Sequence, residues 1–141
     1  VILYLDSSAL VKRYVEEEGT DKVDALWDKA TDVVTSTVAL AECLSAFCRR
    51  RREGLFSEVQ CLKTISEFKA EYTSFVLVPI TPELNRIVEE VLLRYPLRGS
   101  DAIHLASALL VDRAVDFHVT FACFDTALNR AAREEGLVVP F

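Results

Sequence analysis

The chain has 141 residues, 51% hydrophobic and 27% charged, with a formal net charge of −6, 4 Gly and 4 Pro. That suits one ordinary domain, residues 1–141, with a substantial core and few long loops. No apolar run approaches the roughly 20 residues that cross a bilayer, no tract reads as disordered, no secretory pattern opens the chain, and the acidic balance argues against non-specific nucleic-acid binding through a basic surface.

Residues 1–5 form an apolar run of strand length, closed by Asp6. Ser7 or Ser8 is placed to cap a helix with Leu10, Val11, Tyr14 and Val15 on one stripe, stopped at Gly19. A second helix follows over 21–30, then a brief strand at Val33 and Val34. The hydroxyl-rich turn Thr35-Ser36-Thr37 precedes a third helix that reaches Arg52 and ends at Gly54. Ser57 opens a fourth helix, with Cys61, Ile65, Phe68 and Tyr72 on one face. Residues 75–78 make a third strand, and Leu84, Ile87, Val88, Val91 and Leu92 mark a fifth helix that Pro96 and Gly99 break. Ser100 is expected to cap a sixth. A strand over 117–124, a helix from Asp125 to Gly136 and a short closing strand over 137–139 complete the chain. Strands alternate with helices and are mostly apolar throughout. This predicts an α/β fold, a three-layer α/β/α sandwich around a mostly parallel sheet of about five strands.

Cys43, Cys48, Cys61 and Cys123 form no C-x-x-C pair, and neither His lies at zinc-finger spacing from them. They read as free thiols in a reducing compartment, and the protein as cytoplasmic.

In such a sheet, ligands gather beyond the carboxyl ends of the strands. Most of the acids have a plain explanation on solvated helix faces or ends, Glu16, Glu17, Glu18, Glu89, Glu90, Glu134 and Glu135 among them. Four differ because their neighbours are apolar: Asp6, Glu42, Asp101 and Asp125. A carboxylate in such surroundings is costly unless paired or bound to a cation. For Asp101 and Asp125 a simple capping role is an alternative. Grouped carboxylates without His or Cys suit Mg²⁺ or Mn²⁺, and such ions activate water and stabilise the leaving oxygen in phosphodiester cleavage. The expected catalytic set is therefore Asp6, Glu42, Asp101 and Asp125, with Asp6, Asp101 and Asp125 as metal ligands. Ser8 and Cys123, each two residues from a proposed ligand, are candidate supports. His104 is expected to pack or to support the site, and His118 to sit in a strand. Arg49, Arg50, Arg51 and Arg52 either neutralise a helix C-terminus or contact RNA phosphates or an acidic partner.

Leu5-Asp6-Ser7-Ser8-Ala9-Leu10-Val11-Lys12 resembles the opening motif of PIN-domain ribonucleases, in particular the VapC-type toxins of toxin–antitoxin pairs. Ala41-Glu42, Ser100-Asp101-Ala102-Ile103-His104-Leu105-Ala106 and Phe121-Ala122-Cys123-Phe124-Asp125 resemble the later acidic motifs, in the same order. The resemblance implies Mg²⁺- or Mn²⁺-dependent endoribonuclease activity, often in a homodimer, with a small antitoxin blocking the site. One departure is Cys123, where the family often has Thr or Ser. The alternatives are a PIN nuclease that processes RNA without being a toxin, a phosphatase-like hydrolase with Asp6 as nucleophile, and a non-catalytic binding module. Ser8 stands where such a phosphatase usually has a second Asp.

Overall fold

The first strand, β1 (Ile2–Leu5), sorts the whole molecule into layers. All four of its residues are buried. Ile2 and Tyr4 enter one hydrophobic core, Leu3 and Leu5 the other, as the period-2 alternation of a strand requires. The computed structural model describes all of residues 1–141. After β1 come α1 (Ser7–Tyr14), α2 (Thr20–Trp27), β2 (Asp32–Ser36), α3 (Ala39–Arg52), α4 (Glu58–Tyr72), β3 (Val76–Val78), α5 (Pro82–Arg94), α6 (Gly99–Ala114), β4 (Thr120–Ala122) and α7 (Thr126–Glu134). The sheet is parallel throughout, in the order β3-β2-β1-β4. One face packs on α5, α6 and α7. The other packs on α1, α3 and α4, with Val23 of α2. The three-layer α/β/α expectation is met.

The fifth strand is reduced to a single bridge. Val138 lies parallel to Thr120 at the sheet edge, and Phe121 N donates to Val138 O at 2.8 Å. The segment is squeezed between Gly136, at φ 90°, and Pro140, which has no N–H for a ladder. β4 is also shorter than 117–124, for a reason at each end. Val119 N donates to the Asp112 carboxylate (2.8 Å), while Cys123 O accepts from Asn129 Nδ2 (3.1 Å). His118 consequently lies outside the strand, exposed, 3.6 Å from Asp112.

Several helix starts also differ from the sequence reading. Asp6, not Ser7 or Ser8, caps α1, its Oδ1 accepting from Ala9 N at 2.9 Å. α1 ends at Tyr14, and Gly19 opens α2 instead of closing α1. Thr35 and Ser36 belong to β2; the Thr35 hydroxyl donates to Leu5 O (2.8 Å) and Ser36 Oγ accepts from Val38 N (3.2 Å). Ser100 is inside α6, which begins after Arg98 without a side-chain cap. Ser57 does cap α4, in a reciprocal box with Gln60.

Beneath α1, α3 and α4, the rings of Tyr14, Phe47 and Phe68 meet edge to face at centroid distances of 5.3–6.4 Å. The four cysteines are unpaired, three buried and Cys48 partly so. No helix is long and apolar enough to cross a membrane.

Gly19 is the position where glycine is needed. Its φ is +93°, and a Cβ there would meet the Phe124 ring at 2.9 Å and Lys12 Cδ at 3.1 Å. Gly19→Ala is expected to lower the unfolding free energy by about 1–2 kcal/mol, measurable by urea denaturation. An unchanged midpoint would show that the loop relaxes without cost.

Candidate active site

The sheet order reverses at β1, whose neighbours are β2 on one side and β4 on the other. The carboxyl ends of β1 and β4 therefore flank the crevice where open α/β sheets bind ligands. Asp6 leaves β1 there, its N–H still paired to Ala122 O at 3.2 Å. Asp125 caps α7 immediately after β4. Glu42 and Asp101 arrive in the first turns of α3 and α6. All four acids singled out in the sequence line one cleft of about 860 Å³.

Each carboxylate is held through one oxygen. Asp6 Oδ1 accepts from Ser8 Oγ (2.7 Å) and Ala9 N (2.9 Å). Glu42 Oε1 accepts from Ser7 Oγ (2.8 Å) and His104 Nε2 (2.7 Å). Asp101 Oδ2 accepts from Arg98 Nε (3.3 Å), and Asp125 Oδ1 from Leu128 N (2.8 Å). The second oxygen of each makes no hydrogen bond within the protein. That pattern fixes four side chains while leaving four acceptors for something else.

Their electrostatics differ. Asp6 is only 5% exposed, and burial, with the charge of Asp101, pushes its carboxyl above the ordinary value, against the opposing pull of His104, Ala9 and Ser8. Burial pushes Glu42 upward too, but the hydrogen bond and charge of His104 and the bond from Ser7 outweigh it, so Glu42 titrates below its ordinary value.

The donor set fits a hard divalent cation in kind: carboxylate oxygens, with no Cys or His among the candidate ligands. As the side chains stand, no group of three or more His, Cys, Asp or Glu is arranged to hold a metal ion. The acids share the cleft without closing on one point.

His104 lines the inner part of the cleft, 2% exposed. Its Nδ1 lies 2.8 Å from the Tyr4 hydroxyl while Nε2 reaches Glu42. Burial raises the Tyr4 pKa well above its ordinary value, so the phenol keeps its proton, and the two nitrogens of His104 are engaged one by Tyr4 and one by Glu42. Of the two candidate supports, Ser8 bonds the Asp6 carboxylate. Cys123 is fully buried and outside the cleft lining. Its thiol donates to Asn129 Oδ1 (3.0 Å), and burial pushes it up to about 12. Asn129, bonded both to this thiol and to Cys123 O, fixes the loop that carries Asp125.

The arginine run divides. Arg49 and Arg50 line the cleft; Arg51 and Arg52 do not. The surface reading of Glu17 is overturned: it lies in the loop after α1, lines the cleft, and pairs with Lys12 (3.0 Å) and Arg50 (3.3 Å). Tyr4, Ser7 and Asn129 also support the cleft acids or their loops. In the sequence Tyr4 reads as one more apolar strand residue, and Ser7 is a weak signal beside Ser8. No local pattern in the sequence marks Glu17 as a partner of Arg50.

The sequence pattern of the PIN domain matches residues 3–134. Two ribonucleases of Mycobacterium tuberculosis, VapC45 and VapC49, are each 28% identical over 135 residues, which is 96% of this chain and 92% of theirs. Among solved structures, the sarcin-ricin loop cleaving toxin VapC20 of M. tuberculosis superposes with a TM-score of 0.66 at 17% identity, covering 92% of this chain and 94% of that one. VapBC2 of Rickettsia felis, solved on a DNA fragment from its promoter, gives 0.68 at 11% identity, covering 99% and 97%. The match spans both cores and all four acids, and this chain belongs to the PIN domain family.

Proposed function

We propose that the chain is a divalent-metal-dependent endoribonuclease and the toxin of a toxin–antitoxin pair. The observation that carries this reading is the cleft of a PIN domain lined by four carboxylates, each with one oxygen left without a protein partner. The ribonuclease names of its relatives and the toxin–antitoxin complexes among its structural neighbours support it.

Asp6, Asp101 and Asp125 would hold Mg²⁺ or Mn²⁺. When bound, the ion supplies an activated water and a countercharge for the leaving oxygen. Asp6 is the acid most in need of that countercharge, because burial disfavours its ionised form. Glu42 accepts the hydrogen bond of the attacking water through Oε2, while Ser7 and His104 keep Oε1 and hence the carboxylate in place. Ser8 does the same for Asp6. The Arg49–Arg50 end of α3 contacts RNA, and a small antitoxin covers the cleft when the toxin is silent. The working unit is a homodimer in the cytoplasm. A phosphatase mechanism through Asp6 finds no second Asp beside it, since the Ser8 hydroxyl is bonded to Asp6 itself.

Asp6→Asn and Asp101→Asn are each expected to reduce cleavage of total RNA by more than about a hundredfold, and to abolish growth arrest on expression. Full cleavage by both folded variants would defeat the assignment. A chelator should stop the reaction and added Mn²⁺ or Mg²⁺ should restore it; activity indifferent to chelation rules out the metal. His104→Leu should lower kcat about ten- to a hundredfold, and His104→Gln, whose amide keeps a donor for Glu42, should recover part of the loss. Equal activity of the Leu and Gln variants would show that His104 only fills space.

A further inference from the structure

We propose that Lys12 and Arg50, tied together by Glu17, form a subsite for a backbone phosphate flanking the scissile one. This rests on the ribonuclease reading above and gives a role to Lys12 and Glu17, which that reading leaves idle.

The placement comes first. Lys12 lies four residues after Ser8 on α1, and Arg50 eight residues after Glu42 on α3. Both spacings return to the same helix face, so each cation shares the cleft with Ser8 or Glu42 of its own helix. Eight residues of helix advance about 12 Å. Four residues advance about 6 Å, so the pair lies along the cleft from the acids, a placement that suits a neighbouring phosphate of the same strand.

The second point is order. Lys12 and Arg50 are only 15% and 25% exposed, and the two oxygens of Glu17 take one each, Oε1 from Lys12 Nζ at 3.0 Å and Oε2 from Arg50 Nη1 at 3.3 Å. Lys12 Nζ also sits 4.7 Å above the Phe124 ring and the Arg50 guanidinium 5.2 Å from Phe56. Free surface lysines and arginines lose rotamer freedom on binding; these two are already held, so less remains to be lost.

Charge is the third. One carboxylate against two cations leaves the trio positive, and an ammonium has three donors of which Glu17 takes one. Arg98, by contrast, is 80% exposed and paired with Asp101. In a chain of net charge −6, Lys12 and Arg50, with the exposed Arg49 beside them, are where the cleft can meet an anion. The carboxylate floor beside them repels a compact acidic ligand. A strand with regularly spaced single charges can place one phosphate on the wall and another over the floor, where a cation held by the acids would offset the repulsion.

The test is binding of a labelled single-stranded RNA, followed by fluorescence anisotropy over a range of salt in the Asp6→Asn background. Lys12→Gln and Arg50→Gln should each weaken binding about tenfold and flatten the slope of log affinity against log salt, the two together by about 0.7 for the one phosphate they hold. Lys12→Arg and Arg50→Lys should keep the parental slope, as should Lys69→Gln on the exposed face of α4. A parental slope in folded Lys12→Gln and Arg50→Gln overturns the subsite. If either Gln variant fails to fold, acetylation of the unmutated protein in chelator decides: RNA should protect Lys12 and not Lys69, and an unprotected Lys12 overturns the proposal. Lys12- and Arg50-dependent binding of polyglutamate without RNA binding also overturns it, in favour of a protein ligand. Failure of the parent chain to cut RNA counts against the ribonuclease reading, whereas cutting with salt slopes unmoved counts against the subsite alone.

Discussion

Asp6 must satisfy two demands with two oxygens. The chain has to turn from the central strand into α1 inside a nearly closed space, and the orphan N–H groups at the start of that helix need an acceptor. Oδ1 provides it, taking Ala9 N and the Ser8 hydroxyl together. Only because that oxygen is engaged in folding is the side chain fixed, and only because Oδ2 is not engaged is there anything left for chemistry. Asp125 repeats the arrangement at the end of β4, capping α7 through one oxygen. The fold and the site thus draw on the same carboxylates.

This sharing carries an electrostatic cost, and the surrounding residues show how it is contained. A buried carboxylate loses hydration and repels its neighbours. Glu42 is compensated by His104, itself bonded to Tyr4 on the same side of the sheet. Asp6 is compensated less, and remains the strained member of the group. The bracing reaches through the sheet, since Tyr4 and His104 pack with the α5–α6–α7 layer while Ser7 and Glu42 belong to α1 and α3. A carboxylate whose position depends on both layers is stiffer than one standing on a single helix.

Much of this was legible in the sequence. The layered fold followed from apolar strands alternating with amphipathic helices, and the acids that line the cleft stood out because Asp6, Glu42, Asp101 and Asp125 sit among apolar neighbours. Boundaries were less legible, because competing hydrogen bonds decide them. The Asp112 carboxylate takes Val119 N and Asn129 takes Cys123 O, so β4 stops short at both ends. Asp6 outcompetes the two serines for the cap of α1, a contest among three good capping residues that spacing cannot settle. The support for the site was hardest to read. Glu17 and Arg50 are 33 residues apart, Tyr4 and His104 are 100 apart, and no local periodicity links partners at such distances.

The pairing of β1 with β4 has a consequence for how the molecule comes into being. The strand at the very start of the chain finds one of its two neighbours only near the end, with Leu3 opposite Thr120. Contacts of such long sequence separation form slowly, and a chain emerging from the ribosome cannot make this one until the residues of β4 have emerged. Until then Asp6 lacks the Ala122 carbonyl that anchors its own amide, and Asp125 has no folded strand end to stand on. The cleft comes together only when β4 slides in beside β1, so a fragment that stops short of β4 would lack the assembled cleft.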